Sequence, residues 1–337
     1  MDVNERFELV KRNTAEILTD AELRTLLEKS DVSAYYGTAP TGPVHIGYFA
    51  TLTKLLDMQE AGIRTKVLIA DIHAAMDDLK SKWEEIDLKA EYYLKCFELA
   101  IPWNTKPEFI RGSTFQLTLD YYKDLLKAST MTTVARATRA ASEVTRMKNP
   151  KVSELIYPIM QSLDEEHLHV DIQLGGVDQR HIFALARELL PSLGYKKRVE
   201  VMMPLMPSLK GPGTKMSASI PDSHIKVYDS EDAIRRKIRK AYCPEGVTED
   251  NPVLGICKFI IFPVVGKLIV ERPEKYGGTV SFENYADLER MFVEKQLHPA
   301  DLKSAVADRL IELLKPVREY FEANDDILKQ LGKEFLP

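Results

Sequence analysis

Residues 33 to 73 read SAYYGTAPTGPVHIGYFATLTKLLDMQEAGIRTKVLIADIH, and the hydrophobic period changes twice within them. SAYYGT, Ser33 to Thr38, is short and aromatic, as strands are, and it runs into the breaker-rich APTGP of residues 39 to 43. From His45 to Ala61 the apolar Ile46, Phe49, Leu52, Leu55, Leu56 and Met58 recur at helical spacing, with Gly62 as the C-terminal stop. RTKVLIADIH then supplies Val67, Leu68, Ile69 and Ala70 without polar alternation, the mark of a strand buried on both faces. Strand, helix and strand make a βαβ unit, which implies a parallel sheet with a right-handed crossover.

The alternation continues outward. Trp83 to Ala100 reads as helix, KPEFIRG (Lys106 to Gly112) as extended, and Thr118 to Ser129 as helix. Residues 151 to 195 hold a further helix, the short segment VDIQLGG (Val170 to Gly176) and a helix through HIFALARELL. Ahead of the sheet, Phe7, Leu9 and Val10 give an apolar helical face, and Thr19 with Glu22 forms a capping box. Beyond LKGPGTKMSASIP (Leu209 to Pro221) the patterns turn mostly helical, with Ser230 as cap for EDAIRRKIRKAY, so a domain boundary is expected near residue 228. No repeat or low-complexity tract interrupts the chain.

The 337 residues carry 46 Lys+Arg against 51 Asp+Glu, a net charge of −5, which argues against a basic protein that coats nucleic acid. MDVNERFELV lacks the apolar block of a signal peptide, and Ile256 to Val270 is broken by Lys258, Pro263 and Lys267. Neither export nor a membrane span is expected. Cys96, Cys243 and Cys257 are odd in number and far apart, so neither a disulfide framework nor a thiolate zinc site is signalled. The cytoplasm is the expected location.

Two segments carry chemistry. PTGPVHIGY, residues 40 to 48, lies at the strand-to-helix junction, where unpaired NH groups and partial positive charge favour an anion. Gly42 would let backbone approach a polyphosphate and His45 could donate to it, yet the loop is neither a GxGxxG fingerprint nor a P-loop. A tight turn around a structural histidine would look the same. LKGPGTKMSAS, Leu209 to Ser219, offers one cation, Lys215, with the hydroxyls of Ser217 and Ser219 on a loop broken by glycine and proline. It could clamp a leaving pyrophosphate, or be a solvated surface loop.

HIGY and KMSAS together resemble the HIGH and KMSKS signatures of class I aminoacyl-tRNA synthetases. The fuller text SAYYGTAPTGPVHIGYF, VLIADIHA, LIYPIMQSLDEEHLHVDIQLGGVDQRHIF and KMSAS is similar to the tyrosyl-tRNA synthetases of archaeal and eukaryotic type, and the likeness runs on through AYCPEGV, RPEKYGG and HPADLKSAV. Two positions depart from the signatures: Tyr48 replaces the last His of HIGH and Ala218 the second Lys of KMSKS, so those side chains' roles are not carried over.

The resemblance implies a Rossmann-like parallel-sheet α/β catalytic domain, residues 1 to 228, and a mostly α-helical anticodon-binding domain, residues 229 to 337. It implies an insertion at about 113 to 165 that forms a homodimer. The implied reaction is ATP-dependent activation of L-tyrosine to tyrosyl-adenylate, then transfer to the 3′ end of tRNA(Tyr). Tyr35 and Asp164 would meet the phenol, Tyr157, Gln161 and Gln179 the ammonium, and His73 would wall the pocket. Tyr157, Gln161 and Asp164 are spaced by four and three, which independently puts them on one helix face. A phenol site must pair both the donor and the acceptor of the hydroxyl, since each buried group left alone costs ~1 to 3 kcal/mol.

Catalysis would rest on Thr41, His45 and Lys215. ATP contacts would come from Gly37, Pro40, Gly42, Gly47, Gly176, Asp178, Lys215, Met216, Ser217, Ala218 and Ser219, with Gly175 and Gly176 admitting adenosine and magnesium arriving with the nucleotide. Arg180 would read the acceptor end, and Tyr276 and Asp301 the first anticodon base. RRKIRK (Arg235 to Lys240), KKR (Lys196 to Arg198), Arg136, Arg139, Arg146 and Lys148 are basic candidates for tRNA phosphates, although basic helix faces are usually just solvated. No DNA or membrane partner is expected.

DEEHLHVD, Asp164 to Asp171, invites a metal reading, but an i, i+2 histidine pair on a helix points about 160° to 200° apart, so none is expected. The rivals are a tryptophanyl enzyme of the same fold, a small-molecule ligase or nucleotidyltransferase with a HIGH-type loop, and a non-catalytic tRNA-binding paralogue.

Overall fold

The structure is a computed structural model that describes residues 1–77, 81–143 and 150–337. Arg146 and Lys148 lie outside the described residues. Two compact units emerge, neither of them a single stretch: the first is Met1–Thr41, Leu55–Leu94 and Trp103–Pro204, the second Gly42–Lys54, Lys95–Pro102 and Leu205–Pro337. The sequence reading instead cuts the chain once, near residue 228. Contacts group the HIGY loop and the KMSAS loop with the C-terminal helices, a grouping that a linear scan for composition shifts has no means of seeing.

The first unit is built on a six-stranded sheet. Its strands are β1 (Glu16–Leu18), β2 (Ser33–Thr38), β3 (Arg64–Ile69), β4 (Glu108–Arg111), β5 (Ile172–Gly176) and β6 (Val199–Met203), in spatial order β1-β6-β5-β2-β3-β4. β2 and β3 pair in parallel from Ser33 opposite Arg64 to Thr38 opposite Ile69, as the βαβ reading requires. On its other side β2 pairs in parallel with β5. Strand order reverses at β2, and open α/β sheets bind ligands beyond the carboxyl ends of strands at such a point.

Two strands escape a sequence reading. β6, VEVMM, carries Glu200 in its middle, which breaks the apolar run. β1 is three residues long and pairs antiparallel with β6 inside a region whose pattern is helical. The helical expectations around it hold: Val3–Lys11 and Asp20–Leu26 are helices, and Thr19 and Glu22 form the capping box.

Between β2 and β3 the chain makes a 3-10 turn, Ile46–Tyr48, and then the helix Phe49–Glu60, stopped by Gly62 at φ +74°. Helices Val152–His167 and Arg180–Ser192 pack on each other, burying Tyr157, Met160 and Leu163 with Ile182, Leu185 and Leu189.

The second unit is mainly helical. Ser230 caps the helix Glu231–Lys240 through Ala233 N, and that helix packs on Pro299–Leu313. An antiparallel pair, β7 (Leu268–Val270) and β8 (Val280–Phe282), interrupts the helical pattern, and strands this short leave no readable alternation. All three cysteines are buried free thiols. Among the described residues no helix is long and apolar enough to cross a membrane.

Candidate active site

The first unit holds a buried polar pocket. β2 presents Tyr35 and the helix Val152–His167 presents Tyr157, Gln161 and Asp164, with Tyr35 and Asp164 both only 1% exposed. Gln116 Nε2 donates to Asp164 Oδ1 at 2.8 Å, and the Tyr121 hydroxyl lies 2.8 Å from the same oxygen and 2.8 Å from the Met160 carbonyl. His73 Nε2 stands 4.0 Å from Asp164 Oδ2, while its Nδ1 lies 3.3 Å from Gln116 Nε2.

Burial pushes the Asp164 carboxyl up to about 7 against the hydrogen bonds from Gln116 and Tyr121, which favour the charge. Burial likewise drives the His73 ring down to about 4, so it is neutral near pH 7. Burial and then the Asp164 charge raise the Tyr35 hydroxyl, which stays protonated. The pocket therefore offers an acceptor of adjustable charge beside a neutral donor, the pair a phenol requires.

At the other end Gln161 Nε2 donates to Gln179 Oε1 at 3.1 Å, and the Tyr157 ring meets His73 edge-on at 4.6 Å. Gln179 and Asp178 sit in the 3-10 turn Val177–Gln179 that follows Gly176, the last residue of β5. Gly175 has a packing role: a Cβ there would meet Phe183 Cζ at 2.6 Å and Gln179 Cγ at 3.3 Å. It is glycine because those side chains fill the space.

The strand-end loop is tied down within the same unit. Gly37 closes on the Tyr35 ring, the Pro40 carbonyl accepts from Ser81 Oγ at 2.8 Å, and the Thr41 carbonyl lies 3.4 Å from the buried Lys89 Nζ. Lys89 also reaches Ser81 and Glu85.

The second unit holds both signature loops. Ile46 N donates to the Ile225 carbonyl and Val227 N to the Val44 carbonyl, which fixes the HIGY loop. His45 caps the 3-10 turn by accepting from Gly47 N at its Nδ1, 3.1 Å away, so the ring proton is on Nε2. Burial, with His224 and Lys215 nearby, drives that ring down to about 3, so it donates as a neutral group. A Cβ at Gly42 would meet Ala218 Cβ at 3.3 Å and one at Gly47 would meet Met216 Cβ at 3.4 Å. The two loops are thus in contact. Met216 N bonds the Met206 carbonyl and Ser217 N lies 3.3 Å from Ser223 Oγ, while Lys215 is exposed and Ser217 and Ser219 hydroxyls are 3.0 Å apart.

The proposed tRNA contacts are spread out. Arg180 opens its helix and forms a two-pronged pair with Glu16, at 2.7 and 2.9 Å. Tyr276, 61% exposed, ends the 3-10 turn Glu274–Tyr276, and Asp301 stands in the first turn of Pro299–Leu313. Of KKR, Arg198 is buried and bonded to the Val170 carbonyl and Glu166, which takes it off the surface, and Lys197 pairs with Glu22. Arg136 pairs with Glu188 and Arg235 with Asp308, whereas Arg139, Arg236, Arg239 and Lys240 are exposed. His167 faces Asp124 at 3.2 Å, and His169, past the helix end at φ 52°, is exposed.

Sequence reasoning misses Gln116, Tyr121 and Gln173. Gln116 closes a four-residue helix, Ser113–Gln116, with no pattern to announce it. Tyr121 is indistinguishable in sequence from its exposed neighbour Tyr122. A glutamine inside the otherwise apolar strand IQLGG is a readable anomaly.

The family model described as tRNA synthetases class I (W and Y) matches residues 27–315. The chain is 44% identical to the tyrosine-tRNA ligase of Haloarcula marismortui, over 99% of either chain. It is 40% identical to the cytoplasmic tyrosine-tRNA ligase of Gallus gallus, over 99% of this chain and 63% of that protein. The crystal structure of the tyrosyl-tRNA synthetase of Archaeoglobus fulgidus complexed with L-tyrosine superposes with a TM-score of 0.90 at 45% identity, over 94% of this chain and 99% of that one. With the family model matched over residues 27–315, relatives 44% identical over nearly the whole chain and a shared fold, the chain belongs to the class I tRNA synthetases of the tryptophan and tyrosine group.

Proposed function

We propose that the chain is a tyrosine-tRNA ligase that forms tyrosyl-adenylate from tyrosine and ATP and then charges tRNA(Tyr). The observation that carries this reading is Asp164, a buried carboxyl group aligned by Gln116 and Tyr121 in the pocket that holds Tyr35. A phenol donates to one and accepts from the other. An indole NH donates only, so tryptophan would leave the Tyr35 proton without an acceptor.

The work is positioning and charge stabilisation, with no protein nucleophile. The substrate carboxylate attacks the α-phosphorus, a bond to pyrophosphate breaks, and a terminal ribose hydroxyl of tRNA later takes the acyl group. Tyr157, Gln161 and Gln179 would hold the ammonium, and His73 would wall the slot. Thr41, His45 through its Nε2 proton, and Lys215 would stabilise the charge that builds on phosphate. Gly37, Pro40, Gly42, Gly47, Gly176, Asp178 and Met216 to Ser219 would line ATP, with magnesium bound to the phosphates. Arg180, Tyr276 and Asp301 would meet tRNA.

A homodimer through residues 113 to 165 is part of the reading. Leu117, Leu119, Val134 and Val152 are each at least 67% exposed there, an apolar surface that a second copy would cover. A cytoplasmic location is part of the reading, in keeping with the cytoplasmic tyrosine-tRNA ligase of Gallus gallus.

ATP-pyrophosphate exchange, run with tyrosine, with tryptophan and without amino acid, tests the assignment. Exchange with tyrosine alone is expected, and its absence would overturn the reading.

A further inference from the structure

Three strands of the sheet carry a buried polar row. Tyr35 on β2 lies opposite Gln173 on β5, and Gln173 lies opposite Glu200 on β6. Parallel neighbours in register share a face at a spacing of ~4.8 Å, and these three side chains are at most 2% exposed. Gln173 Nε2 donates to the Tyr35 hydroxyl at 2.6 Å. Gln173 Oε1 and both carboxyl oxygens of Glu200 have no hydrogen-bond partner among the described residues, and neither do those of Glu165, the residue after Asp164.

A tyrosine hydroxyl has one proton. With the Gln173 nitrogen facing it, the Tyr35 oxygen accepts and its proton is available to the pocket. With the amide turned over, Oε1 would take that proton and the pocket would lose its donor. The two orientations have the same shape, so the neighbour on the far side selects between them. Glu200 is the register neighbour on that side: a neutral carboxyl there would donate to Oε1 and hold the first orientation, whereas a carboxylate would accept from Nε2 and hold the second.

We propose that Gln173 is a specificity-determining positioning residue, held by its register neighbour Glu200 so that the Tyr35 proton points at the phenolic oxygen of the substrate. This inference rests on the tyrosine reading above. It explains how Tyr35 and Asp164 divide the labour: the substrate oxygen must accept from one and donate to the other. A hydroxyl does both, a hydrogen atom neither, and a methyl ether cannot donate.

The surroundings favour the neutral form. Arg187 faces the row from the helix Arg180–Ser192, Arg198 from the turn before β6, Glu22 from Asp20–Leu26, and Glu165 and Asp164 from Val152–His167. The Arg187 guanidinium is engaged with the Leu18 and Arg198 carbonyls and Glu22, and that of Arg198 with the Val170 carbonyl and Glu166. Burial, opposed by these two cations, pushes Glu200 up to about 8, and burial with the Glu200 charge raises Glu165.

The test compares kcat/KM for tyrosine and phenylalanine in ATP-pyrophosphate exchange from pH 6 to 9.5, since their ratio cancels titration of the shared ammonium. In the wild type the ratio should fall roughly tenfold as pH climbs through about 8, in KM rather than kcat. Glu200→Gln, whose amide donates at every pH, should remove the fall above about pH 8 and leave the rise that ionisation of Asp164 near pH 7 gives. Gln173→Met, which removes the amide that orients the Tyr35 hydroxyl, should lower the ratio about tenfold at pH 7. A Glu200→Gln profile superimposed on that of the wild type would overturn the inference. So would a wild-type ratio that does not fall above about pH 8, which decides the matter even where a variant fails to fold. Absence of tyrosine exchange in the wild type, by contrast, sinks the ligase assignment itself.

Discussion

Gln116 Nε2 donates to Asp164 Oδ1 at 2.8 Å, from a helix of only four residues set just past the end of β4. That bond favours the charged carboxylate, so its loss raises the Asp164 pKa above the value near 7. Gln116→Met should move the acidic limb of tyrosine kcat/KM to higher pH and cost about tenfold at pH 7, leaving KM for ATP alone.

Asp164 also bears on stability. Its carboxyl titrates at about 7 when folded against 3.8 in the open chain, so between about pH 4 and 7 the folded protein holds a proton that the unfolded chain has lost. Stability supplied by this group therefore falls as pH rises through that window, and above it the buried charge is a full cost. Asp164→Asn should melt higher than the wild type at pH 8, by roughly 2 to 4 kcal/mol in free energy, and equally at pH 4. The same variant should lose tyrosine exchange.

His45 donates without a charge. Its ring titrates near 3, far below the working range, so no limb between pH 5 and 7 should originate from it. A flat profile of KM for ATP over that interval, with adenylate formation cut about a hundredfold in His45→Ala, is the expected result. Lys215→Ala should likewise slow adenylate formation far more than it weakens tyrosine binding. Equal losses would remove Lys215 from its role.

Gly47 is closely enclosed. A Cβ there meets the His45 ring at 2.7 Å and Met216 at 3.4 Å. Gly47→Ala should displace the His45 ring and lower kcat for exchange, whereas tyrosine affinity measured by equilibrium titration without ATP should match that of the wild type.

Asp301→Ala and Tyr276→Ala should raise KM for tRNA in aminoacylation and spare pyrophosphate exchange. Added salt should separate the same two assays in the wild type, because tRNA binding releases counterions from phosphate and amino-acid activation does not.

Much of this molecule is legible in its sequence, for a physical reason. β2, β3 and the helix between them are local patterns, and the spacing of Tyr157, Gln161 and Asp164 survives because a helix preserves it. What stays hidden depends on pairing across distance. Glu200 makes β6 look polar until the strand is seen buried beside Gln173, and Tyr121 differs from Tyr122 only in the direction it faces. The regrouping of the HIGY and KMSAS loops with the C-terminal helices is likewise a matter of contacts.

That grouping has an evolutionary consequence. Tyr35, Gln116, Asp164 and Gln173 belong to one compact unit, while Gly42, His45, Gly47 and Lys215 belong to the other. Substitutions around the first group and substitutions around the second therefore strain different cores. A lineage can drift in which amino acid it accepts while its activation step stays under separate selection, so novelty in one trait need not first be tolerated by the other.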